Sequence, residues 1–419
     1  MTGQRTLRAN AGLVLFGDSA SKLGMLVTTL VAARVLSVGE FAAVAAALAA
    51  AGIMASVLDG GSGLLIARDG TASVAARGSL ALALARARIP LVCTVVAGSI
   101  VVGLLVGRPL EGVLAAGLAL TSACAQTLAG IARAAQNTRP EAASKLVGAV
   151  LSMAALSVLL ASTTAVALLA ALCAASAVAL WPLVRGAAGS RAVALARPRG
   201  AFRSAVPLGV LALATIIYFR SGTIALSVVS GPAATASFAV ASSAAFGLLM
   251  LPNAVAAGLM PRLAALPRLE QQVELVRRSL RWTFALSALL SCALAGLAPF
   301  ALPFLFGDRY RAAVVPLVIL AGAIVVVSTN TVLGTALLAR GLTSPVFVQS
   351  LISLAANIAM LAILGSLLGA LGAALAMLGC ELLGLALLAR ACGRGLPGLL
   401  ALPHTAQTMG TAVHREQVS

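Results

Sequence analysis

Lysine and arginine alternate along this chain, filling every second gap between long apolar stretches and nearly vanishing from the gaps between. Basic residues collect at the N-terminus and in the segments 68–88, 133–145, 185–203, 262–281, at 340 and after 390. The remaining gaps hold only Arg34, Arg108, Arg309 and Arg311. Because positively charged loops stay on the cytoplasmic side of a membrane, the pattern predicts a polytopic membrane protein. It also predicts an even number of spans, with both termini in the cytoplasm.

The composition requires a bilayer as the solvent for most of this chain. Hydrophobic residues make up 61% and charged residues 10% of the 419 residues, which is typical of membrane proteins. The net charge of +18 does not indicate a nucleic-acid partner, because the basic residues lie between spans and not on one soluble face. Both histidines lie in the C-terminal tail and the six cysteines form no CxxC motif. We therefore expect no metal site and no cofactor.

Twelve stretches reach about the ~20 residues that a helix needs to cross the hydrocarbon core. They are 11–33, 41–66, 89–107, 111–132, 144–162, 163–184, 204–227, 234–260, 282–305, 312–338, 346–367 and 369–391. Two long apolar runs are divided by predicted tight hairpins, one at Ser162/Thr163 and one between Gly365 and Gly369. Trp181, Trp282 and Tyr310 fall at predicted span ends, as interfacial anchors do.

Two short matches at an offset near two hundred residues indicate an internal repeat. Residues 36–42 match 229–239, and residues 132–140 match 339–345. Two repeats of six spans have the same orientation, which is an architecture of alternating-access transporters. We therefore predict an all-α membrane protein of about 12 transmembrane helices in two six-helix lobes, at 1–195 and 196–395. The tail at 396–419 is predicted to be disordered and cytoplasmic.

Five ionisable residues lie at membrane depth, where each costs roughly 2.5–3.5 kcal/mol at the bilayer centre. They are Asp18, Lys22, Asp59, Arg220 and Glu381. We expect them to face a cavity or one another. Asp18 and Lys22 share a helix face and either neutralise each other or contact water and substrate. Asp59 either shares a proton or a cation with Asp18 or caps the backbone of 60–63.

The two remaining residues have their own alternatives. Arg220 either lines a central cavity or extends towards the outer interface. Glu381 is a candidate proton site near the midplane, although a hydrogen bond between helices also explains it. Pro252, Pro299 and Pro303 predict kinks in their helices and are candidate gate elements.

Four short stretches at or between the ends of predicted spans contain possible sequence motifs. They are 33–41 after the first span, 59–68 at the close of the second, 304–313 between the ninth and tenth, and 368–374 at the start of the twelfth. These stretches resemble motifs of the Wzx-like polysaccharide flippases in the multidrug/oligosaccharidyl-lipid/polysaccharide superfamily. Ala42 stands where that family usually has a second glycine.

The resemblance implies a V-shaped cavity between two lobes in a bacterial inner membrane, lined by spans one, two, seven and eight. A cationic lumen would receive the diphosphate of a polyprenyl-linked oligosaccharide, with Lys22 and Arg220 as substrate contacts. Asp18, Asp59 or Glu381 would bind the coupling proton or sodium. The implied partners are this lipid-linked oligosaccharide, the coupling ion and the lipid bilayer. A polysaccharide polymerase is left open as a further partner, and no nucleic acid is expected.

Three classes of function compete for this chain. A flippase for lipid-linked oligosaccharides needs positive groups for phosphate. A drug or metabolite exporter of the same superfamily predicts an acid-dominated cavity, and the three acids at membrane depth are compatible with it. A membrane glycosyltransferase, polymerase or ligase needs a sizeable outer loop, whereas the predicted outer loops are short, and no nucleotide-binding or catalytic motif is present. We therefore expect a transporter and not an enzyme.

Overall fold

The computed structural model describes residues 2–69, 86, 88–187 and 201–395, which are helical and contain no strand. The predicted tail at 396–419 lies outside these residues, as does most of the basic segment 68–88. The helices are α1 (Thr2–Val35), α2 (Val38–Asp59), α3 (Ser62–Asp69), α4 (Ile89–Leu105), α5 (Pro109–Ala134), α6 (Arg139–Ala155), α7 (Ala165–Ala179), α8 (Trp181–Ala187), α9 (Ala201–Val229), α10 (Gly231–Phe246), α11 (Met250–Ala265), α12 (Leu269–Phe306), α13 (Val314–Ala339), α14 (Thr343–Met360) and α15 (Ser366–Gly395).

These helices lie on the predicted membrane spans. In the described part of the chain, nine helical runs are long and apolar enough to cross a membrane. The last of them, Thr343–Arg394, contains two spans, because the backbone leaves the helical conformation at Gly369. Ile89–Leu105 is apolar but shorter and lies on the third predicted span. Helix α1 lies on the first predicted span. The all-α, polytopic fold class is therefore confirmed.

Glycines set the breaks that an apolar pattern does not reveal. Gly60 and Gly61 have φ values of +51° and +78°, which residues with a side chain rarely adopt. The chain consequently leaves α2 at Asp59 and restarts as α3, so the prediction of one span over 41–66 is wrong at its inner end. Gly369, with φ +56°, lies in the first turn of α15 as bounded above, and the break in the helix there makes the predicted hairpin.

The other predicted hairpin, at Ser162/Thr163, lies in a non-helical stretch between Leu160 and Ala165. Thr164 caps the next helix there, because its hydroxyl accepts a hydrogen bond from the Ala167 amide at 3.3 Å. A short 3₁₀ turn, Gly247–Leu249, interrupts the helix just before Pro252, where a kink is predicted. Pro299 and Pro303 lie inside α12, which stays helical through both, and the kinks predicted there stay predictions.

The two halves of the chain pack their helices in the same pairs. In 2–187, which we call the N lobe, α2 packs on α5, α1 on α6, α4 on α5, α6 on α7 and α5 on α7. In 201–395, the C lobe, the corresponding pairs are α10 and α11 on α13, α9 on α14, α12 on α13, α14 on α15 and α13 on α15. Equivalent pairs in the same order are the pattern of a repeated six-helix unit.

The turns predicted to share one side of the membrane meet in space. Glu40, at the start of α2, accepts a hydrogen bond from the Ala165 amide and lies 3.7 Å from Arg108. In the C lobe, Ser230 donates to the Gly365 carbonyl at 2.6 Å. We call the end of the bundle where α1 ends and α2 begins the outer end, following the predicted topology, and the opposite end the inner end.

Each of the four arginines that depart from the basic-inside pattern has a partner at the outer end. Their partners are the Phe304 carbonyl for Arg34, Glu111 for Arg108, the Ala33 and Arg34 carbonyls for Arg309, and Asp308 for Arg311. These side chains are therefore held by local protein groups.

The lobes meet along α2, which packs against α9 and α10. Tyr310 also lies in this contact, so its predicted role as an interfacial anchor is wrong. It is 1% exposed and packs edge-on against Phe41 of the N lobe, with ring centres 5.9 Å apart. Trp181 and Trp282 are exposed, as the prediction of interfacial anchors requires.

Candidate functional site

A cavity of about 240 Å³ lies between the lobes, beside α2. Helices α1, α2, α5, α6 and α7 supply its N-lobe wall, and α9 and α10 supply the C-lobe wall. Arg220 is the one charged residue in its described lining. Its other polar groups are hydroxyls, from Ser21, Thr28, Thr29, Ser152, Ser176, Thr223, Ser242 and Ser243. The cavity therefore combines one positive charge with many rotatable donors and no described carboxylate.

Arg220 lies opposite a glycine of α2. A Cβ atom on Gly52 would lie 3.6 Å from the Arg220 Nε atom, an ordinary van der Waals distance, so the half-buried guanidinium packs beside this part of α2. Among the described residues, no ion pair involves Arg220. Arginine does not release its proton in proteins, so this charge is permanent. An unpaired cation in a low-dielectric cavity attracts anions.

Several hydroxyls of the cavity donate hydrogen bonds to backbone carbonyls but can still form hydrogen bonds with a ligand. Thr28 and Thr29 donate to the carbonyls four residues earlier, each at 2.8 Å, and Ser243 donates to the Ala239 carbonyl at 2.6 Å. Each hydroxyl proton can rotate towards an incoming acceptor, since a hydroxyl has one donor and two acceptor positions. The wall can thus supply hydrogen bonds to oxygen-rich anions.

A second group of charges lies at the inner end of the N lobe, and we call it the inner cluster. Its members are Asp18, Asp59, Arg88, Arg133, Glu141 and Lys145. The Lys145 ammonium lies 2.7 Å from both Asp18 and Glu141. Arg133 donates two hydrogen bonds to the buried Glu141 carboxylate, at 2.5 and 2.9 Å. The cluster therefore ties the inner ends of α1, α5 and α6 together.

Asp59 and Arg88 form a further pair in this cluster. The guanidinium donates to the Asp59 carbonyl at 2.6 Å and lies 3.3 Å from its carboxylate. The carboxylate also accepts from the Gly63 amide at 3.2 Å, which is the backbone cap considered from the sequence. Arg88 precedes α4, and its pKa is lowered because burial, the larger effect, outweighs the opposing charge of Asp59. Asp59 thus joins α2, α3 and the start of α4.

The inner cluster borders a second cavity, of about 300 Å³. Its lining includes Asp59, Arg133, Glu141 and Lys145, together with Ala212 from the C lobe. Acidic and basic side chains are balanced here, so the cavity has no evident preference for the sign of a ligand. In the described residues, no group of three or more His, Cys, Asp or Glu side chains is arranged to hold a metal ion.

Glu381 lies apart from these residues, buried inside the C lobe. The Asn330 amide donates to its carboxylate at 2.8 Å and to its carbonyl at 3.0 Å. The Tyr218 hydroxyl donates to the Met377 carbonyl at 3.3 Å, and the Asn330 Oδ1 atom is buried without a partner in the described chain. No described basic side chain pairs with Glu381. A buried carboxylate in such surroundings needs a proton or a cation to neutralise it.

The five predicted site residues thus occupy four places. Asp18 and Asp59 belong to the inner cluster, Arg220 faces the cavity between the lobes, and Glu381 lies in the C lobe. Lys22 is exposed and lies outside the lining of that cavity, three residues before Met25, which does line it. Asp18 has its close ion pair with Lys145 and not with Lys22.

Sequence reasoning did not identify the partners of these groups. Arg88, Arg133 and Lys145 were interpreted only as topological charges between spans. Glu141 gave a signal, since it follows Pro140 in the first turn of α6, where acids favour the helix dipole. Tyr218 gave none beyond being one of two tyrosines in the chain.

Comparisons with known proteins give structural matches only. No family model matches this chain, and no curated protein matches it. Among solved structures, it is similar to the lipid II flippase MurJ in an inward closed conformation, with a TM-score of 0.68 and 13% identity over 90% of this chain and 87% of that one. An inward-facing multidrug resistance MATE transporter of the MOP superfamily has a TM-score of 0.68 and 12% identity, covering 91% of this chain and 96% of that one. A eukaryotic MATE transporter has a TM-score of 0.67 and 16% identity, covering 93% and 95%.

Identities this low establish the fold and nothing finer. The likeness covers nearly all of both chains in each case, so it includes both lobes. Proteins of this fold include a lipid flippase and multidrug transporters. The chain is therefore a multi-pass membrane protein with the fold of these transporters.

Proposed function

We propose that this protein is a Wzx-like flippase of the MOP superfamily. It moves polyprenyl-diphosphate-linked oligosaccharides from the cytoplasmic to the outer leaflet of the bacterial inner membrane by alternating access. The product would supply synthesis of a surface polysaccharide such as O-antigen or exopolysaccharide. The observation that carries the proposal is the charge of the cavity between the lobes, where Arg220 stands without a carboxylate partner.

The chemistry of the cavity suits a diphosphate. Arginine binds phosphate oxygens through two parallel N–H groups, and the surrounding hydroxyls can donate to the remaining oxygens. A volume of about 240 Å³ lies below the ~300–1,000 Å³ of sites for drug-sized ligands. In this conformation the cavity therefore suits the diphosphate or one sugar, and an oligosaccharide requires a more open state. Lys22 would act nearer the inner end, as a second contact during entry.

The coupling site is best assigned to Glu381. Asp18 and Asp59 already have basic partners at 2.7 and 3.3 Å, so a proton or sodium ion would have to displace Lys145 or Arg88. Glu381 has neutral hydrogen-bonding neighbours and an unused amide oxygen beside it. This arrangement supports binding of a proton or a sodium ion, while the other two acids hold the N lobe together.

The second candidate is a cation-coupled exporter of drugs or metabolites. The MATE transporters among the similar structures and the buried Glu381 favour it. A cationic substrate, however, requires acids in the cavity that receives it, and the described lining of this cavity has none. The flippase is therefore the stronger proposal.

Gene deletion with complementation tests the proposal. Deletion should cause polyprenyl-linked oligosaccharides to accumulate while the surface polysaccharide is lost, and wild-type protein should reverse both effects. Arg220→Ala should fail to complement, and Arg220→Lys should complement in part because it retains the charge but not the paired donors. The exposed Arg340, replaced by Ala, is the matched control. Unchanged glycolipids combined with new sensitivity to cationic drugs would overturn the flippase in favour of the exporter.

A further inference from the structure

Two contacts between the lobes lie near opposite ends of α2, on either side of the cavity, and they are chemically different. We propose that they are two gates: an outer gate formed by reciprocal arginine–carbonyl hydrogen bonds, and an inner gate formed by glycine backbones in contact. The role of gates rests on the proposed transport function, whereas the contacts that form them do not depend on the identity of the substrate. It assigns to Arg309 and Gly209 opposite effects on access to the cavity.

The outer gate joins the ends of two helices from different lobes. Arg309, after α12 in the C lobe, donates to the carbonyls of Ala33 and Arg34 at the end of α1, the second at 2.8 Å. Arg34 in turn donates to the Phe304 carbonyl near the end of α12, at 2.5 Å. The last carbonyls of a helix lack intrahelical partners and lie at the negative end of its dipole. Each lobe therefore supplies a cation to the helix end of the other.

An aromatic contact lies directly beneath these hydrogen bonds. Tyr310 of the C lobe packs edge-on against Phe41 of the N lobe. Its hydroxyl is buried and has no partner in the described chain, and a buried donor without a partner opposes closure. Opening would let water reach that hydroxyl. The closure is thus held by Arg309 and Arg34 against a local cost, which makes it reversible.

The inner gate depends on the absence of side chains. A Cβ atom on Gly209, near the inner end of α9, would lie 2.5 Å from the carbonyl carbon of Gly60 and 2.9 Å from the amide of Gly61. Both neighbours are backbone atoms in a turn that itself requires glycine, because their φ values are positive. A side chain at position 209 must therefore separate α9 from the α2–α3 turn, and hence the C lobe from the N lobe.

The two gates lie at opposite ends of α2, whose 22 residues span roughly 33 Å at 1.5 Å per residue. The cavity with Arg220 lies between them. A transporter of this kind must open one end while the other stays closed, otherwise the membrane leaks. Arg309 and Gly209 lie far enough apart for one gate to open without contact at the other.

Accessibility of a cysteine in the cavity tests the assignment. Ser243→Cys places a thiol in the cavity wall, in a background where the six native cysteines are alanine. A membrane-impermeant maleimide is applied to right-side-out and to inside-out vesicles, and the labelling rate is measured from each side. Arg311→Ala is the control for Arg309→Ala, since Arg311 pairs only with Asp308 in its own loop among the described residues. Gly258→Ala is the control for Gly209→Ala, because a Cβ atom at Gly258 meets nothing within 4 Å.

We expect Arg309→Ala to raise labelling from the outer side by about tenfold, the equivalent of about 1.4 kcal/mol, with no rise from the inner side. Gly209→Ala should raise labelling from the inner side only. Rates equal to those of the matched controls would overturn the assignment, as would a rise from both sides with either variant. Because the assay contains no substrate, a failed gate assignment gives unchanged labelling, whereas a failed flippase proposal gives unchanged glycolipids in the deletion strain.

Discussion

The inner cluster predicts a large and specific loss of stability on removing one charge. The perturbation is Glu141→Gln, which keeps the side-chain volume and so leaves no cavity. It removes a carboxylate that is 1% exposed and that accepts hydrogen bonds from Arg133 and Lys145. Arg133 would then lose its carboxylate partner, and Lys145 would keep only Asp18.

The magnitude follows from burial. Breaking a buried ion pair by removing one partner costs about 3–5 kcal/mol. Arg133 is 42% exposed and Lys145 is 24% exposed, so water recovers part of their hydration and the lower value, about 3 kcal/mol, applies. For a cooperative unit of 150–250 residues, such as the N lobe, each kcal/mol lowers Tm by about 2–4 °C. The expected decrease is therefore about 6–12 °C.

Thermal unfolding of the purified, detergent-solubilised protein measures this decrease. The matched control is Glu274→Gln, since Glu274 and Arg281 are 3.6 Å apart with both side chains mostly exposed. Exposed pairs contribute about 0.2–1 kcal/mol, so the control should change Tm by no more than about 4 °C. Equal Tm values for the two variants would refute the view that the inner cluster holds the N lobe together.

Two further predictions concern the C lobe. Glu381→Gln should abolish ion-driven transport. The affinity for a soluble polyprenyl diphosphate analogue, measured by calorimetry, should stay unchanged, because Arg220 lies in a different place. A parallel loss of affinity would contradict the separation of the two sites. Gly369→Ala should lower the Tm of the purified protein. Its φ of +56° with ψ of −130° is a conformation open almost only to glycine, and it costs a residue with a side chain about 1–3 kcal/mol. Gly393→Ala, at a position with open space and no positive φ, should leave Tm unchanged, and the same Tm for both variants would disprove this account of the hairpin at Gly369.

Much of the fold can be predicted from this sequence because its signals are local. Span length, the distribution of arginine and the hairpin at Gly369 depend on neighbouring residues and on the bilayer. The inward placement of Arg220 and Glu381 follows from the cost of exposing an ionisable group to lipid. The break after Asp59 was missed, because an apolar run of this length does not show where the backbone will take positive φ values.

The partners of the charged residues could not be predicted in the same way. Asp18 is paired with Lys145, more than a hundred residues away, although Lys22 stands four positions along the same helix. A single sequence shows which charges need partners but not which distant helix faces them. Tyr310 illustrates the same limit, since its position at a span end is compatible with an interface of either lipid or protein.

The equivalent packing of the two lobes has a consequence for biogenesis. All five N-lobe helix pairs are complete once residue 187 has entered the membrane, since neither partner in any pair lies further along the chain. At ~5–20 residues per second, translation of the rest takes roughly 10–50 s. During that interval the face of α2 that later contacts α9 and α10 adjoins lipid or an insertion factor. Helix α2 is rich in alanine, and an apolar surface of small residues is tolerated by lipid and still permits close packing when the second lobe arrives.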